Sequence, residues 1–379
     1  MIISDLHREE SDGRTRILAH VEWEACGEPE RDLFIETTDP FGASLELNPD
    51  LFLIGCLHPA MHRRERRIRI EGRVCPQLLE TLESVMALFQ AWYGEDYRPL
   101  SIEAAGVRQP IVRNGRAHTA VFLSGGVDSL TALRRNHLRY PHDHPNRIRD
   151  AFLVHGFDIG GVMERGLKYP VFDRAVDAMS AVATAAGLEL IPVYTNIRHL
   201  CDEKALWLDK FHGAVLAAVA HAFSTRIDRV EIASTFDFLG LGPWASHPML
   251  DQWYGSCDLQ IHHRDVELTR LEKIGIIAEW EVALQNLRVC LQNVPDRLNC
   301  GWCEKCVRTM TGLVAAGALA SCTAFQEDDV TPELLIGTMP KIGHQGPFYL
   351  ELVEPLRRQG RDDLARIIEQ SAQAPGLVS

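Results

Sequence analysis

Nothing in the chain is built to enter a bilayer. No apolar stretch approaches the roughly 20 residues that a membrane-spanning helix needs, so no membrane partner is expected. The first residues, Met1-Ile2-Ile3-Ser4-Asp5-Leu6-His7, lack the basic-then-apolar layout of a signal peptide, and a cytoplasmic location is expected. Positive charge is scarce: 39 Lys and Arg stand against 52 Asp and Glu, a formal net charge of −13. That balance disfavours bulk nucleic-acid binding, which needs a basic surface. The local run Arg63, Arg64, Arg66, Arg67 and Arg69 reads as a solvated strand face. Internal repeats and low-complexity segments are also missing. Disulfide-type spacing is absent as well: of the 10 cysteines, Cys290, Cys300, Cys303 and Cys306 crowd into one short segment, a pattern that points to metal binding.

What is present fits a globular protein: 379 residues, 46% hydrophobic and 24% charged. The length suits two ordinary domains, or one large domain with an appendage. Residues 1–115 read as an N-terminal α+β accessory module, a possible partner-binding unit. It has a hairpin of Arg16–Trp23 and Asp32–Thr37, a strand over Arg66–Glu71 and a helix over Pro76–Tyr93 with one apolar face. Residues 106–118 form a polar connector. From 119 the pattern alternates strand and helix. Strands are expected at Ala120–Leu123, Ala151–His155, Glu189–Tyr194 and Arg229–Ala233, and helices at Ser129–His137, Val171–Ala186 and Gly213–Ser224. This is the signature of an α/β fold with a parallel, Rossmann-like sheet. A helix around Val266–Gln285, the cysteine cluster, and a helical extension over 313–379 that includes Asp363–Ser371 complete the chain. Ligands of such sheets bind at the carboxyl ends of strands. The segments following each strand (124–129, His155-Gly156-Phe157-Asp158, Tyr194-Thr195-Asn196 and Ser234-Thr235) are therefore expected along one edge.

The first of these segments carries the clearest chemistry. Ser124-Gly125-Gly126-Val127-Asp128-Ser129 follows the apolar run Ala120–Leu123 and opens a helix. Two glycines let the backbone turn and aim successive N–H groups at an anion, and the helix adds its positive end. No Gly-Lys-Ser/Thr ending is present, so this is not the common kinase-type phosphate loop.

The second carrier is Cys290-x9-Cys300-x2-Cys303-x2-Cys306. Four thiolates at this spacing can close tetrahedrally around one zinc ion, with Gly301 allowing the turn between ligands. An iron–sulfur cluster or merely buried cysteines are the alternatives. A filled zinc site is structural. It would brace Pro295–Asn299 and Glu304–Arg308, and so aim Lys305 and Arg308 at phosphates, unless those two side chains are plain surface.

The hexapeptide matches the SGGxDS signature and so resembles the ATP pyrophosphatase (PP-loop) superfamily. With the cysteine tetrad and the segment Leu268-Thr269-Arg270-Leu271-Glu272-Lys273, residues 119–312 are similar to the 7-cyano-7-deazaguanine synthase family. The resemblance implies ATP, Mg2+ and Zn2+ as cofactors and a PP-loop domain over 116–312. It implies adenylation of the carboxylate of 7-carboxy-7-deazaguanine, transfer to an amine, and release of AMP and pyrophosphate. Ser124, Gly125, Gly126, Val127, Asp128 and Ser129 would hold pyrophosphate and magnesium. Arg270 and Lys273, one helical turn apart, would meet phosphate or the substrate carboxylate, or else form a solvated helix face. His212 would assist proton transfer or touch the nucleotide, or else act as a capping or core histidine. His155, Phe157 and Asp158 are further nucleotide-side positions. Asp158 and Asp251, with His247 nearby, would hold magnesium or the guanine-like edge, or be structural. His262 and His263 read as structural. Cys201 is a conceivable thiol nucleophile.

The chain departs from ordinary synthases in its extra residues 1–115. It also has His155-Gly156-Phe157-Asp158 in place of Tyr-Gly-Gln, Phe211-His212-Gly213 in place of Arg-Asn, and the segment Trp244–Asp251. That longer layout looks like the synthase-like proteins of antiphage defence operons, implicated in joining a deazaguanine to a protein N-terminus. A protein substrate or defence-operon partner and a homodimer are therefore possible. Residue 2 is isoleucine, so no N-terminal cysteine is expected to hydrolyse glutamine, and no separate amidotransferase segment is visible. Free nitrile synthesis from ammonia, tRNA modification and a non-catalytic nucleotide-binding scaffold are the competing readings.

Overall fold

The computed structural model describes residues 1–113, 115–339 and 346–372. Strands β1 (Ile2–Ser11), β2 (Arg14–Glu22) and β3 (Arg31–Thr38) form an antiparallel meander, and β2–β3 is the expected hairpin. Helix α1 (Pro49–His62), β4 (Arg67–Val74), α2 (Pro76–Tyr93) and β5 (Ser101–Val107) follow, with β4 parallel to both β1 and β5. Helix α2 buries its apolar stripe Leu78, Leu82, Val85, Met86 and Phe89. Helix α1 is buried on every side from Asp50 to Met61. It has no polar face, so its sequence shows no helical period.

The second half alternates β6 (His118–Phe122), α3 (Val127–Arg139), β7 (Ile148–His155), α4 (Tyr169–Ala186) and β8 (Glu189–Thr195). A short α5 (Lys204–Leu206) runs through a π-helical turn (Trp207–Phe211) into α6 (His212–Ala222). Strands β9 (Ile227–Ala233) and β10 (Gln260–Arg264) complete a parallel set in the order β10-β9-β6-β7-β8. The helix expected over 266–285 is two helices, α7 (Arg270–Ala278) and α8 (Glu281–Asn286), because Trp280 is extended between them. Helices α9 (Glu304–Ala315), α10 (Pro332–Thr338), α11 (Gly346–Leu350), α12 (Val353–Arg358) and α13 (Asp362–Ala372) end the described chain. Among the described residues, no helix is long and apolar enough to cross a membrane.

Both halves share a single 10-stranded, mostly parallel sheet. The seam is β3 against β8, antiparallel, with Ile35 opposite Thr195 and Thr37 opposite Val193. Side chains sew it: Thr195 Oγ1 donates to the Phe34 carbonyl (2.7 Å), and Asn196 accepts from Phe34 N–H (2.9 Å) and donates to the Asp32 carbonyl (2.8 Å). Thr195 and Asn196, expected on the ligand edge, are spent on this seam. One core joins the meander and α1 to α6, with Ile17, Ile35 and Leu57 in the same cluster as Ala217, Val219 and Ile232. A second core packs α3, α4 and α7–α9 against Val121, Leu123 and Leu153. The result is an α/β fold in layers, with the carboxyl ends of β6–β9 as its open edge.

Candidate functional site

The chain leaves β6 at Leu123 and bends through Ser124-Gly125-Gly126 into α3. Gly125 sits at φ 81°, in the left-handed region. A Cβ there would also lie 2.9 Å from Met179 Cε and 3.1 Å from Arg288 Cβ, so glycine is required twice over. Ser124 is exposed at the strand end, and its hydroxyl lies 3.4 Å from that of the buried Ser129. Ser129 Oγ donates to the Gly126 carbonyl at 3.0 Å. Val127 buries its side chain in the core, so only its backbone can face a ligand. The first amides of α3 have no intrahelical acceptor and point out of the bend. Such a bend at a helix N-terminus has the donors to receive an anion.

Two cations reach it from α7. Thr269 caps that helix in a reciprocal box with Glu272, which sets Arg270 and Lys273 one turn apart on the side facing α3. Arg270 Nη1 lies 2.8 Å from Asp128 Oδ1, and Lys273 Nζ lies 3.7 Å from the same oxygen. Lys273 is fully buried and also donates to the Ser234 carbonyl at 2.7 Å. Burial pushes its pKa down, and the Asp128 charge opposes that shift. Both residues are therefore clamps on Asp128.

Arg288 was not singled out from the sequence. Its N–H donates to the Gly125 carbonyl (2.8 Å), and its Nη2 donates to Asn293 Oδ1 (2.9 Å). Asn293 in turn donates to the Asp158 carbonyl at 2.7 Å. Arg288 thus ties the back of the bend to the loop after β7. Its nearness to Cys290 is the only hint the sequence offers.

The cysteine tetrad stands directly behind that tie. The sulfurs of Cys290, Cys300, Cys303 and Cys306 all lie within 4.8 Å of one another. Gly301 makes the turn between ligands at φ 86°, and α9 begins at Glu304, after Cys303. Asn299, next to Cys300, accepts from Val289 N–H (2.9 Å) and donates to the Leu287 carbonyl (2.7 Å). Asn299 thereby ties the tetrad segment to the backbone on either side of Arg288. Four thiolates converging at this range fit a tetrahedral metal such as zinc, with no open position for substrate.

Lys305 and Arg308 lie on the first turns of α9. Among the described residues, the Lys305 ammonium makes no hydrogen bond or ion pair. Burial lowers its pKa, with the charges of Asp158 and Asp128 pulling upward and those of Arg308 and Arg270 pushing down. Arg308 is buried beside Glu304 (3.1 Å) and lies over the Phe348 ring at 5.0 Å. Its pKa is also lowered by burial and by Arg270. Asp158 is exposed after β7, and its charge acts on Arg198, His212, Arg288 and Lys305.

The remaining wall is aromatic. Phe348 stacks on Phe236 (5.8 Å), Phe236 meets Trp244 edge-on (5.5 Å), and Trp244 approaches His212 (6.3 Å). Gly213 permits that approach, since a Cβ on it would lie 2.0 Å from the Ala245 carbonyl oxygen. His212 Nδ1 lies 3.1 Å from the Trp207 carbonyl, which accepts only from N–H. Nε2 is then the unprotonated nitrogen of a neutral ring, and burial lowers the pKa. The π-helical turn before His212 supplies that carbonyl, a feature no sequence period announces. Phe157 packs edge-on against Trp207 (5.1 Å), and its carbonyl accepts from the buried Arg198 (2.7 Å).

Other expected positions are occupied by structural contacts. His155 stacks on Tyr169 (4.8 Å), and its Nε2 meets the Leu167 carbonyl (2.6 Å). Asp251 is fully buried, bonded to Ser246 Oγ (2.7 Å), His247 N–H (3.2 Å) and His263 Nδ1 (2.8 Å). Cys201 is buried with its thiol pushed up to about 11 by burial, which suits a passive cysteine.

Compared with family models, curated proteins and solved structures, the chain matches none.

Proposed function

We propose that the protein is an ATP-dependent carbon–nitrogen ligase that adenylates a carboxylate and passes the acyl group to an amine, releasing AMP and pyrophosphate. The observation that carries this reading is the glycine bend itself, where Arg288 Nη1 lies 3.4 Å from the Ser124 carbonyl and Arg270 and Lys273 stand 2.8 and 3.7 Å from Asp128. Three cations against one carboxylate at a helix N-terminus suit a polyanion, and the bend fits the pyrophosphate end of a nucleoside triphosphate.

In this reading the α3 amides, Ser124 and Ser129 hold pyrophosphate, and Asp128 and Asp158 supply oxygens for magnesium. The substrate carboxylate attacks the α-phosphorus, and the bond to pyrophosphate breaks. Lys305 and Arg308 neutralise the charge on the departing group. The amine then attacks the acyl carbon, AMP leaves with the electron pair, and His212 Nε2 takes the amine's proton. The chain mainly positions the reactants. Zinc at the tetrad would hold Arg288 and α9 in place.

The resemblance read from the sequence names the acid as 7-carboxy-7-deazaguanine. The aromatic wall of Phe236, Trp244 and Phe348 suits such a planar ring. It also names a protein N-terminal amine as acceptor and antiphage defence as the setting. The test is AMP release from ATP with this acid present and absent, followed by mass spectrometry of a candidate acceptor protein. Acid-dependent AMP and an acyl mass shift on the acceptor's N-terminus support the reading. Nucleotide binding without turnover would leave a scaffold instead.

A further inference from the structure

Away from the nucleotide cleft, the sulfurs of Cys75 and Cys257 lie 3.4 Å apart although the residues are 182 positions apart in sequence. Cys75 is buried at the junction of β4 and α2, while Cys257 is exposed in the turn before β10. Both are held firmly. Cys75 N–H donates to Asp50 Oδ1 (2.9 Å), and Cys257 N–H points at Cys75 Sγ (3.4 Å). Arg108 bridges Asp50 and Asp258 at 2.5 Å each, and Asp258 also accepts from Ile111 N–H (2.7 Å). Thr81 Oγ1 donates to the Trp253 carbonyl at 2.7 Å, fixing α2 against the same loop. The contact therefore joins residues 1–115 to the β9–β10 connection. A disulfide needs the sulfurs about 1.4 Å closer, a distance that side-chain rotation can cover.

We propose that Cys75 and Cys257 form a modification site: a thiol pair that a low-molecular-weight disulfide such as glutathione disulfide oxidises to a covalent staple between the two halves of the sheet. The accessible Cys257 thiolate attacks one sulfur of the oxidant, whose S–S bond breaks and releases one thiol. The Cys75 sulfur, giving its proton to solvent, then attacks Cys257 Sγ and displaces the second thiol. Two protein thiols are oxidised and one disulfide is reduced to two thiols. Burial, Cys75 and the Asp258 carboxylate all disfavour the Cys257 thiolate, so the first step is slow, on the order of minutes to hours. Because the bond would close a long loop, its main effect is on the unfolded chain.

The test uses zinc-loaded, full-length protein incubated with glutathione disulfide, quenched in acid and digested. The expected result is a cross-linked peptide pair containing Cys75 and Cys257, two hydrogens lighter than the separate peptides and reversed by dithiothreitol. The oxidised protein should melt roughly 5–10 °C higher than the reduced one. Cys257→Ser, an exposed change that leaves the core intact, should show neither effect. Glutathione retained on Cys257 without transfer to Cys75, no reaction at either thiol, or a cross-link with unchanged Tm would overturn the proposal.

Discussion

Arg270 holds Asp128 at 2.8 Å across the α3–α7 contact. The pair places a carboxylate beside the glycine bend, which under the proposed function is where the phosphates sit. A carboxylate there is unfavourable beside phosphate unless a cation stands between them. Asp128→Ala is therefore expected to abolish pyrophosphate release while circular dichroism shows a folded protein. Arg270→Met should retain the fold but lower kcat/KM for ATP roughly 100-fold. Full residual activity in Asp128→Ala would remove the magnesium role given to it.

Gly125→Ala probes the bend itself. The left-handed backbone costs a Cβ-bearing residue about 1–2 kcal/mol, and the new methyl meets Met179 and Arg288. Nucleotide affinity should fall at least tenfold by calorimetry while Tm changes by only a few degrees. An unchanged Kd would show that the bend does not hold the ligand.

Cys303→Ser should lose metal and stability together, because ligand binding and folding are linked. A loss of about 3 kcal/mol or more would appear as a Tm lower by several degrees, alongside metal content below one per chain by elemental analysis. Nucleotide affinity should fall as well, since the tetrad segment positions Arg288 on the Gly125 carbonyl. Loss of metal with unchanged ATP affinity would separate the two sites.

Stability should also depend on acid. His58 is fully buried, with its ring on Phe89 and its Nε2 at Tyr254 Oη (2.5 Å), and burial lowers its pKa from 6.5 to about 3. The unfolded chain therefore takes up the proton first as pH falls. The stabilisation is complete above pH 6.5 and is lost progressively from there towards pH 3. By pH 4.5 this amounts to about 2–3 kcal/mol at about 1.4 kcal/mol per unit. Urea midpoints measured between pH 7.5 and 4.5 should fall accordingly, and His58→Gln should flatten the slope while lowering the plateau.

Much of the fold was legible because its elements carry local signals. Helices α2, α3 and α4 each bury one stripe and so show a helical period, while β6 and β7 show as short apolar runs between helical segments. Helix α1 has no such stripe, and the β3–β8 seam joins strands far apart in sequence through Thr195 and Asn196, so neither could be read. At the site, Ser124–Ser129 and the cysteine tetrad were visible because backbone geometry and ligand spacing are local demands. Arg288, Arg198 and the Trp207 carbonyl acquire their roles only when loops from different strands meet. The pairing of Arg270 and Lys273 with Asp128 likewise depends on α7 packing beside α3.

Exchange of labelled pyrophosphate into ATP tests the central claim most directly, because it requires that a carboxylate and the α-phosphorus react reversibly on the protein before any amine arrives. With 7-carboxy-7-deazaguanine present and amines excluded, label should appear in ATP, and Asp128→Ala should not support it. No exchange with the acid bound, or exchange at the same rate without any acid, would contradict the account.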